Sequence, residues 1–259
     1  MSKLPISVCI IAGNEAARIG QTLKSVADWA GEIIVVLNIE VNDGTDTIAE
    51  SLGARVFREP WRGFLKQKNS ASEKCRQPWL LNLDADEIVT PELQKEIAAV
   101  VGQNPAPFAA YEFPRCAFYC GRWIRHGDWY PDRVLRLWRR GEAQWGGIEP
   151  HTHLEVNGKV GRLRADLLHF TNENIARHIS KIAFNHAAFV SRRRAGGRSA
   201  SFFELALRPP WRFFRAYFLR LGFLDGWQGF YIANLSAFST LTKYVMVREA
   251  EQDQPPFPQ

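Results

Sequence analysis

The feature that most constrains this chain is an alternation, up to about Val101, of short apolar runs with segments of helical periodicity. Ile6–Ile11 is continuously apolar and too short for a core helix, so it reads as a buried strand. Asn14 then caps a predicted helix whose apolar positions Ile19, Leu23, Val26 and Ala30 fall three and four apart, ending at Gly31. Ile33–Leu37 is a second strand, and Asp43-Gly-Thr-Asp opens a second helix with Asp43 as its cap and Gly53 as its stop. Arg55–Phe57, a helix over Gly63–Arg76, and Trp79–Leu83 follow. Thr90-Pro91-Glu92 starts another helix, because threonine caps well and proline fits the first turn. Strands separated by helices predict an α/β fold, a mostly parallel twisted sheet with helices on both faces.

After Pro105 the pattern changes. Ala109–Pro114 and Arg133–Trp138 alternate like half-exposed strands, and from Ile175 the segments look helical and rich in Phe and Arg until a Pro-rich tail at Pro255–Gln259. The expected divisions are therefore 1–104, 105–172 and a helical region over 173–259. Nine Trp and 17 Phe fall mostly in the later part. The four cysteines are too scattered for a disulfide framework, and Met1-Ser-Lys-Leu-Pro leads into a strand rather than a signal peptide; a reducing cytosol is the expected compartment. Charge is uneven: Lys159–Arg220 carries thirteen Lys and Arg against three acids. Such a stretch is a solvated basic face or meets a polyanion, whether nucleic acid, an anionic membrane or a phosphorylated substrate.

The polar clusters sit where an open α/β sheet binds ligands, beyond the carboxyl ends of its strands. They are Ala12-Gly13-Asn14-Glu15, Asn38 to Thr45, and Asp84-Ala85-Asp86-Glu87. Two carboxylates at i and i+2 after an apolar strand can share a hard divalent cation that also holds a diphosphate. Alternatively, they only cap the helix at Thr90.

Together these motifs resemble the family 2 glycosyltransferases, whose nucleotide-sugar-binding fold is called GT-A. The resemblance is carried by Ser7-Val-Cys-Ile-Ile-Ala-Gly-Asn-Glu15, Glu32-Ile-Ile-Val-Val and Asp43-Gly-Thr45. Gln67-Lys68-Asn69, Asp84-Ala-Asp-Glu87, Arg133-Val-Leu-Arg-Leu-Trp-Arg-Arg140, His151, Leu167-Leu-His169 and Gly222-Phe-Leu-Asp-Gly226 point to the subgroup similar to lipopolysaccharide-core β-1,4-glucosyltransferases. The resemblance implies inverting transfer from a nucleotide-diphosphate sugar, assisted by Mg²⁺ or Mn²⁺, to a phosphorylated or lipid-linked glycan acceptor at the cytoplasmic face of the membrane, with no nucleic-acid partner. On it, Asp86 is the main metal ligand and Asp84 shares the metal and faces the nucleotide. Lys68 lies near the donor phosphates, and Ala12, Glu15 and Asn38 line the base and ribose pocket. A polyprenyl-phosphate acceptor and a catalytically silent sugar-nucleotide-binding protein are the alternatives.

Two departures stand out. Where relatives usually read Asp-Ser-Gly-Ser-Thr-Asp-Gly-Thr, this chain reads Asn38-Ile-Glu-Val-Asn-Asp-Gly-Thr45. Where relatives often place an acid after a histidine, Thr152 follows His151, and threonine is no base at neutral pH. Inverting transfer needs a carboxylate to take the acceptor's proton, so Glu149 is the first candidate and Asp132 the second. His169 is either a satisfied structural histidine or a ligand contact, and Trp123, Trp129, Trp138 and Trp145 either fill cores or stack on sugar. Pro209–Trp227 interleaves Arg212, Arg215 and Arg220 with aromatics, which suits a helix in a membrane interface or one packed on the catalytic domain.

Overall fold

The computed structural model describes residues 3–103, 107–149, 151–171, 175–197 and 199–251, without the side chains of 148, 151, 177, 181–185 and 187–188. The side chain of His151 and the Pro255–Gln259 tail thus lie outside the described residues. The chain forms two compact units. The first holds the chain up to Cys116 and again Asp132–Phe170; the second holds Ala117–Pro131 and the chain from Thr171. Segment 117–131 therefore clusters with the C-terminal helices, and the units depart there from a simple division at 104 and 172.

In the first unit the chain runs β1 (Leu4–Ala12), α1 (Ile19–Lys24), β2 (Ala30–Asn38), α2 (Thr45–Ser51), β3 (Arg55–Glu59), α3 (Phe64–Glu73) and β4 (Trp79–Asp84). These strands pair in parallel in the order β3-β2-β1-β4. The connection from β3 through α3 crosses to the far side of β1, so the topological switch point falls between the carboxyl ends of β1 and β4, where Ile11 pairs with Asp84. Both faces of these strands are covered. Ile6, Val8 and Ile10 join the core beneath α1, α2 and α4 (Pro91–Val101), while Cys9, Ile34 and Val36 pack with Ala71 of α3 and with Cys75 just after it. Burial on both faces is why these strands read as unbroken apolar runs rather than alternations.

The sheet then changes character. β5 (Glu87–Val89), β6 (Ala110–Tyr119), β8 (Asp132–Arg139) and β12 (Leu167–Phe170) extend it as β4-β8-β6-β12-β5, with β8 antiparallel to β4 and to β6. β9 (Ala143–Ile148) and β10 (His151–Val156) form a separate hairpin, and β11 (Val160–Arg162) pairs with β6. The expected mostly parallel sheet is thus mixed: parallel over β3-β2-β1-β4, then mainly antiparallel, with β11 parallel to β6. Helix α1 begins at Ile19 and ends at Lys24, shorter than Asn14–Gly31, since Glu15 opens a tight turn with its carbonyl accepting from Arg18 and Ile19. The Thr90 cap is as read: its Oγ1 accepts the Leu93 N–H at 3.1 Å with Pro91 in the first turn.

The second unit contains β7 (Arg122–Ile124), paired with residues 117–119, and helices α5 (Ile175–Ala195), α6 (Phe202–Phe214) and α7 (Gly226–Glu249). Helix α6 opens with a reciprocal Ser201–Glu204 capping box and runs into a π-helical turn, Arg215–Leu219. No helix among the described residues is long and apolar enough to cross a membrane.

Candidate active site

The switch-point crevice is organised by one buried acid that sequence reasoning passed over. Glu87 is fully buried at the start of β5, and its Oε2 accepts the backbone N–H of Asp84 at 2.9 Å. Its Oε1 accepts from Arg115 Nη1 at 3.1 Å and Arg136 Nη2 at 3.2 Å. Arg136, on β8, is itself buried and also donates to Asn82 Oδ1 (2.7 Å) and to Asp84 Oδ2 (2.6 Å). Lys68 Nζ approaches Asp84 Oδ1 to 3.5 Å and lies 4.4 Å from the Trp145 ring centroid. Trp145 is pinned by Asn69 of α3, whose amide exchanges two 3.0 Å hydrogen bonds with its backbone. The motif Gln67-Lys68-Asn69 therefore places a cation and fixes the aromatic floor beneath it. Gln67 beside them is buried with neither amide atom hydrogen-bonded.

The electrostatics follow from this packing. Burial alone would raise the Asp84 carboxyl, but the charges of Arg136, Lys68 and Arg115 outweigh it and hold Asp84 well below the ordinary carboxylate range. Burial lowers Lys68 from the usual lysine value, partly countered by Asp84 and Glu87. Burial works against Arg136 as well, and Asp84 with Glu87 more than restores its charge. Each buried charge thus has an opposite partner, the condition under which burying ions is tolerable.

Asp86 faces the other way. Its carboxylate Oδ1 lies 3.6 Å from His169 Nε2, and its carbonyl accepts from Phe170 N at 3.0 Å. β12 pairs antiparallel to β5 and sets His169 opposite Glu87, so one strand pairing delivers the histidine to the Asp-Ala-Asp turn. Ala12, buried, ends β1. The Glu15 N–H donates to Thr45 Oγ1 at 2.9 Å, and the Glu15 carboxylate pairs with Arg18 at 3.0 Å. Asp43 joins the two loops, accepting from Ala16 N and Thr45 N, each at 3.0 Å. Asn38 ends β2, half-buried, its Oδ1 accepting from Glu40 N at 3.4 Å.

The two base candidates occupy different settings. Asp132 begins β8, and its Oδ2 accepts both Nε (2.9 Å) and Nη2 (2.7 Å) of Arg115, which links it through Glu87 to Asp84. Glu149 is exposed, and its Oε1 accepts the Leu65 N–H at 3.0 Å over the first turn of α3. Gly63 leaves room for it: a Cβ there would come 2.3 Å from that oxygen. Trp138 and Trp145 fill the core beneath α3, whereas Trp123 packs on Phe118 and Trp129 on Tyr119 in the second unit. Strand alternation could not have assigned Arg136 a face: the β8–β6 pairing shifts register between Tyr111–Leu137 and Glu112–Leu135, and Val134 packs in a different core cluster from Trp138.

A profile of the family described as Glycosyl transferase family 2 matches residues 7–158, more than half of the chain. The chain belongs to that family. An uncharacterised glycosyltransferase of Rickettsia typhi is 32% identical over 94% of this chain and 87% of its own. The lipopolysaccharide core biosynthesis glycosyltransferase LpsC of Rhizobium meliloti is 30% identical over 86% of this chain and 83% of its own. Among solved structures, S. aureus TarS 1–349 in complex with UDP-GlcNAc superposes with a TM-score of 0.51 at 17% identity, covering 99% of this chain and 93% of that one. That likeness shows the fold, the expected GT-A arrangement. This family 2 chain is a glycosyltransferase.

Proposed function

We propose that the protein moves a sugar, with inversion, from a nucleotide-diphosphate donor bound at this crevice to a lipopolysaccharide-core or other lipid-linked glycan acceptor. The observation that carries the reading is the network Lys68–Asp84–Arg136–Glu87–Arg115, built at the switch point and ending beside Asp86. The 30% identity to LpsC over most of both chains supports the acceptor class.

In this reading Ala12, Glu15 and Asn38 line the base and ribose pocket, and Asn38 both donates and accepts at a base edge. Asp84, kept ionised by its three cations, faces the ribose side and holds Lys68 in place. Lys68 presents its ammonium to the donor phosphates and offsets the charge that grows as the nucleoside diphosphate departs. A divalent cation fits the turn. Asp86 and His169 offer two donors 3.6 Å apart, and no cluster of three or more His, Cys, Asp or Glu groups able to hold a metal occurs among the described residues. This is the sparse donor set that Mg²⁺ or Mn²⁺ takes when phosphate oxygens and water complete its shell. Both Asp84 oxygens already face cations, so we place the metal on Asp86 with His169 and leave Asp84 beside it. When bound, the cation supplies Lewis-acid stabilisation of the leaving diphosphate.

We place Asp132 ahead of Glu149 as the base that takes the acceptor hydroxyl's proton. Asp132 shares a bonded network with Asp84, whereas Glu149 spends an oxygen on the first turn of the helix that carries Lys68. A peripheral membrane position is part of the proposal. Among the described residues, fifteen of the twenty exposed large apolar side chains lie between Phe202 and Val245, a density that a water-facing surface rarely shows. The test is an acceptor series with purified protein and a nucleotide-sugar panel. Transfer to a truncated lipopolysaccharide core supports the reading; transfer only to polyprenyl phosphate moves the acceptor, and nucleotide-sugar binding without turnover refutes the enzyme assignment.

A further inference from the structure

The second unit holds a cavity of about 330 Å³ between α5, α6 and α7 that none of the chemistry above uses. Helix α7 contributes Ile232, Ser236, Ser239 and Lys243, spaced three and four apart and so on one face. Arg212 enters from α6, His186 from α5, and Trp129 closes one wall. Four of the polar positions of α7, Ser236, Ser239, Thr240 and Lys243, line this space.

The surroundings are short of negative charge. Asp128 is buried, 1% exposed, yet three guanidinium groups converge on it: Arg212 at 2.6 Å, Arg215 at 2.8 Å and Arg220 at 3.3 Å. The π-helical turn makes this possible, since its bond from Arg220 N–H to the Arg215 carbonyl (2.9 Å) brings residues five apart onto one side. The crowding shows in the geometry, because Arg212 Nε lies near Asp128 Oδ2 without the alignment of a hydrogen bond. Glu204 is shared between Arg193 (2.6 Å) and Arg208 (3.3 Å). Lys243 has no acidic partner among the described residues; it lies over the Phe189 and Tyr244 rings, 5.0 and 5.2 Å from their centroids. Five guanidinium groups therefore share two carboxylates, and Lys243 has none among the described residues. Burial, with Arg212, Arg208 and Arg193 beside it, lowers the Lys243 ammonium; burial, with Arg215 and Arg220, lowers Arg212.

We propose that this cavity binds a phosphate or diphosphate group, held by Lys243 and Arg212 and by the hydroxyls of Ser236 and Ser239. A tetrahedral anion of charge near −2 matches the excess, whereas one carboxylate leaves most of it unmet. His186 Nε2 meets Ser239 Oγ at 2.8 Å and orients that hydroxyl. Burial and Lys243 lower the His186 imidazole, favouring its neutral form. Trp129 and Ile232 give an ester substituent an apolar wall. The occupant is a phosphate ester, either a lipid headgroup or a soluble one.

The experiment is calorimetric titration of the full chain with inorganic pyrophosphate, comparing wild type, Lys243→Gln and Lys243→Arg. Binding at the donor crevice is common to all three, so the difference reports this cavity. Lys243→Gln is expected to weaken one binding event about tenfold or more, and Lys243→Arg to retain it. Should Lys243→Gln unfold, Ser239→Ala replaces it, with a loss of about threefold expected for one neutral hydrogen bond. Phosphatidylcholine vesicles containing phosphatidic acid then compete in wild type if the occupant is a headgroup and leave the titration unchanged if it is soluble. Identical pyrophosphate titrations for wild type and the neutral variants overturn the proposal.

Discussion

The two units pair their arginines and lysines with acids in opposite ways. In the first, Lys68, Arg115 and Arg136 are matched by Asp84, Glu87 and Asp132, and each buried charge closes a loop of hydrogen bonds. In the second, three arginines crowd on Asp128 while Lys243 lies over aromatic rings with no acidic partner among the described residues. A balanced network holds carboxylates in fixed positions before any ligand arrives, which suits a crevice that must place a diphosphate within a few tenths of an ångström. An unbalanced one stores repulsion that an incoming anion relieves, which suits recognition.

The sharpest way to break this comparison is to remove one cation from each unit. Arg136→Leu strands Glu87 and Asp84, and unfolding in urea is expected to show a loss of about 3–5 kcal/mol. Arg220→Ala removes one of three partners from Asp128, and the same measurement is expected to change by less than about 1 kcal/mol. Equal losses at both sites contradict the distinction. Within the first unit, Asp132→Asn is expected to cut turnover roughly 10²–10⁴-fold while nucleotide affinity holds. Glu149→Gln should cost less than about tenfold, because a neutral amide still accepts the Leu65 N–H. The reverse ranking returns the base to Glu149.

The first half of the fold was legible because β1, β2 and β4 are apolar runs buried on both faces and helical segments separate the strands. Yet α1 and α2 have Arg18 and Gly44 at their N-caps, without the side-chain caps expected from Asn14 and Asp43. The second half was not. Its short alternating strands announce one buried face but not a partner, and the antiparallel order β4-β8-β6-β12-β5 depends on contacts distant in sequence. The placement of Asp84 and Asp86 at the carboxyl end of β4 was legible from the apolar run before them. Glu87 and Arg136 were seen only as letters in motifs, since their role is to hold other residues and appears once β8 lies beside β4. Likewise Arg212, Arg215 and Arg220 suited either a membrane interface or a packed helix, and the π-helical turn aims them at Asp128. Charge reversal at these three would unsettle the fold, so it cannot report membrane binding.

Membrane association is tested instead through the exposed aromatics. Each of Phe202→Ser, Phe203→Ser and Trp211→Ser is expected to weaken binding to anionic vesicles by about tenfold, as burial of a large apolar side chain implies, with little change in thermal stability. No effect on sedimentation with vesicles removes the interface from the account. The smallest expected effect concerns acid. The folded-state carboxyl of Asp84 lies below its unfolded value of about 3.9, so its contribution to stability is present above that pH and is lost as pH falls through the folded value. Urea midpoints at successively lower pH should therefore fall more steeply below about pH 4 in wild type than in Asp84→Asn. Parallel profiles contradict the charge-paired state assigned to Asp84.

The central claim is that the Asp84–Asp86 turn positions a nucleotide-sugar diphosphate for transfer. It is tested most directly by following nucleoside diphosphate release and acceptor glycosylation together, in wild type and in Asp86→Ala, with and without a chelator. The account predicts that release and glycosylation proceed one for one in wild type, stop with chelator, and fall by at least about a hundredfold in Asp86→Ala while its thermal unfolding is unchanged. Wild-type turnover by Asp86→Ala, or by native protein in excess chelator, contradicts it.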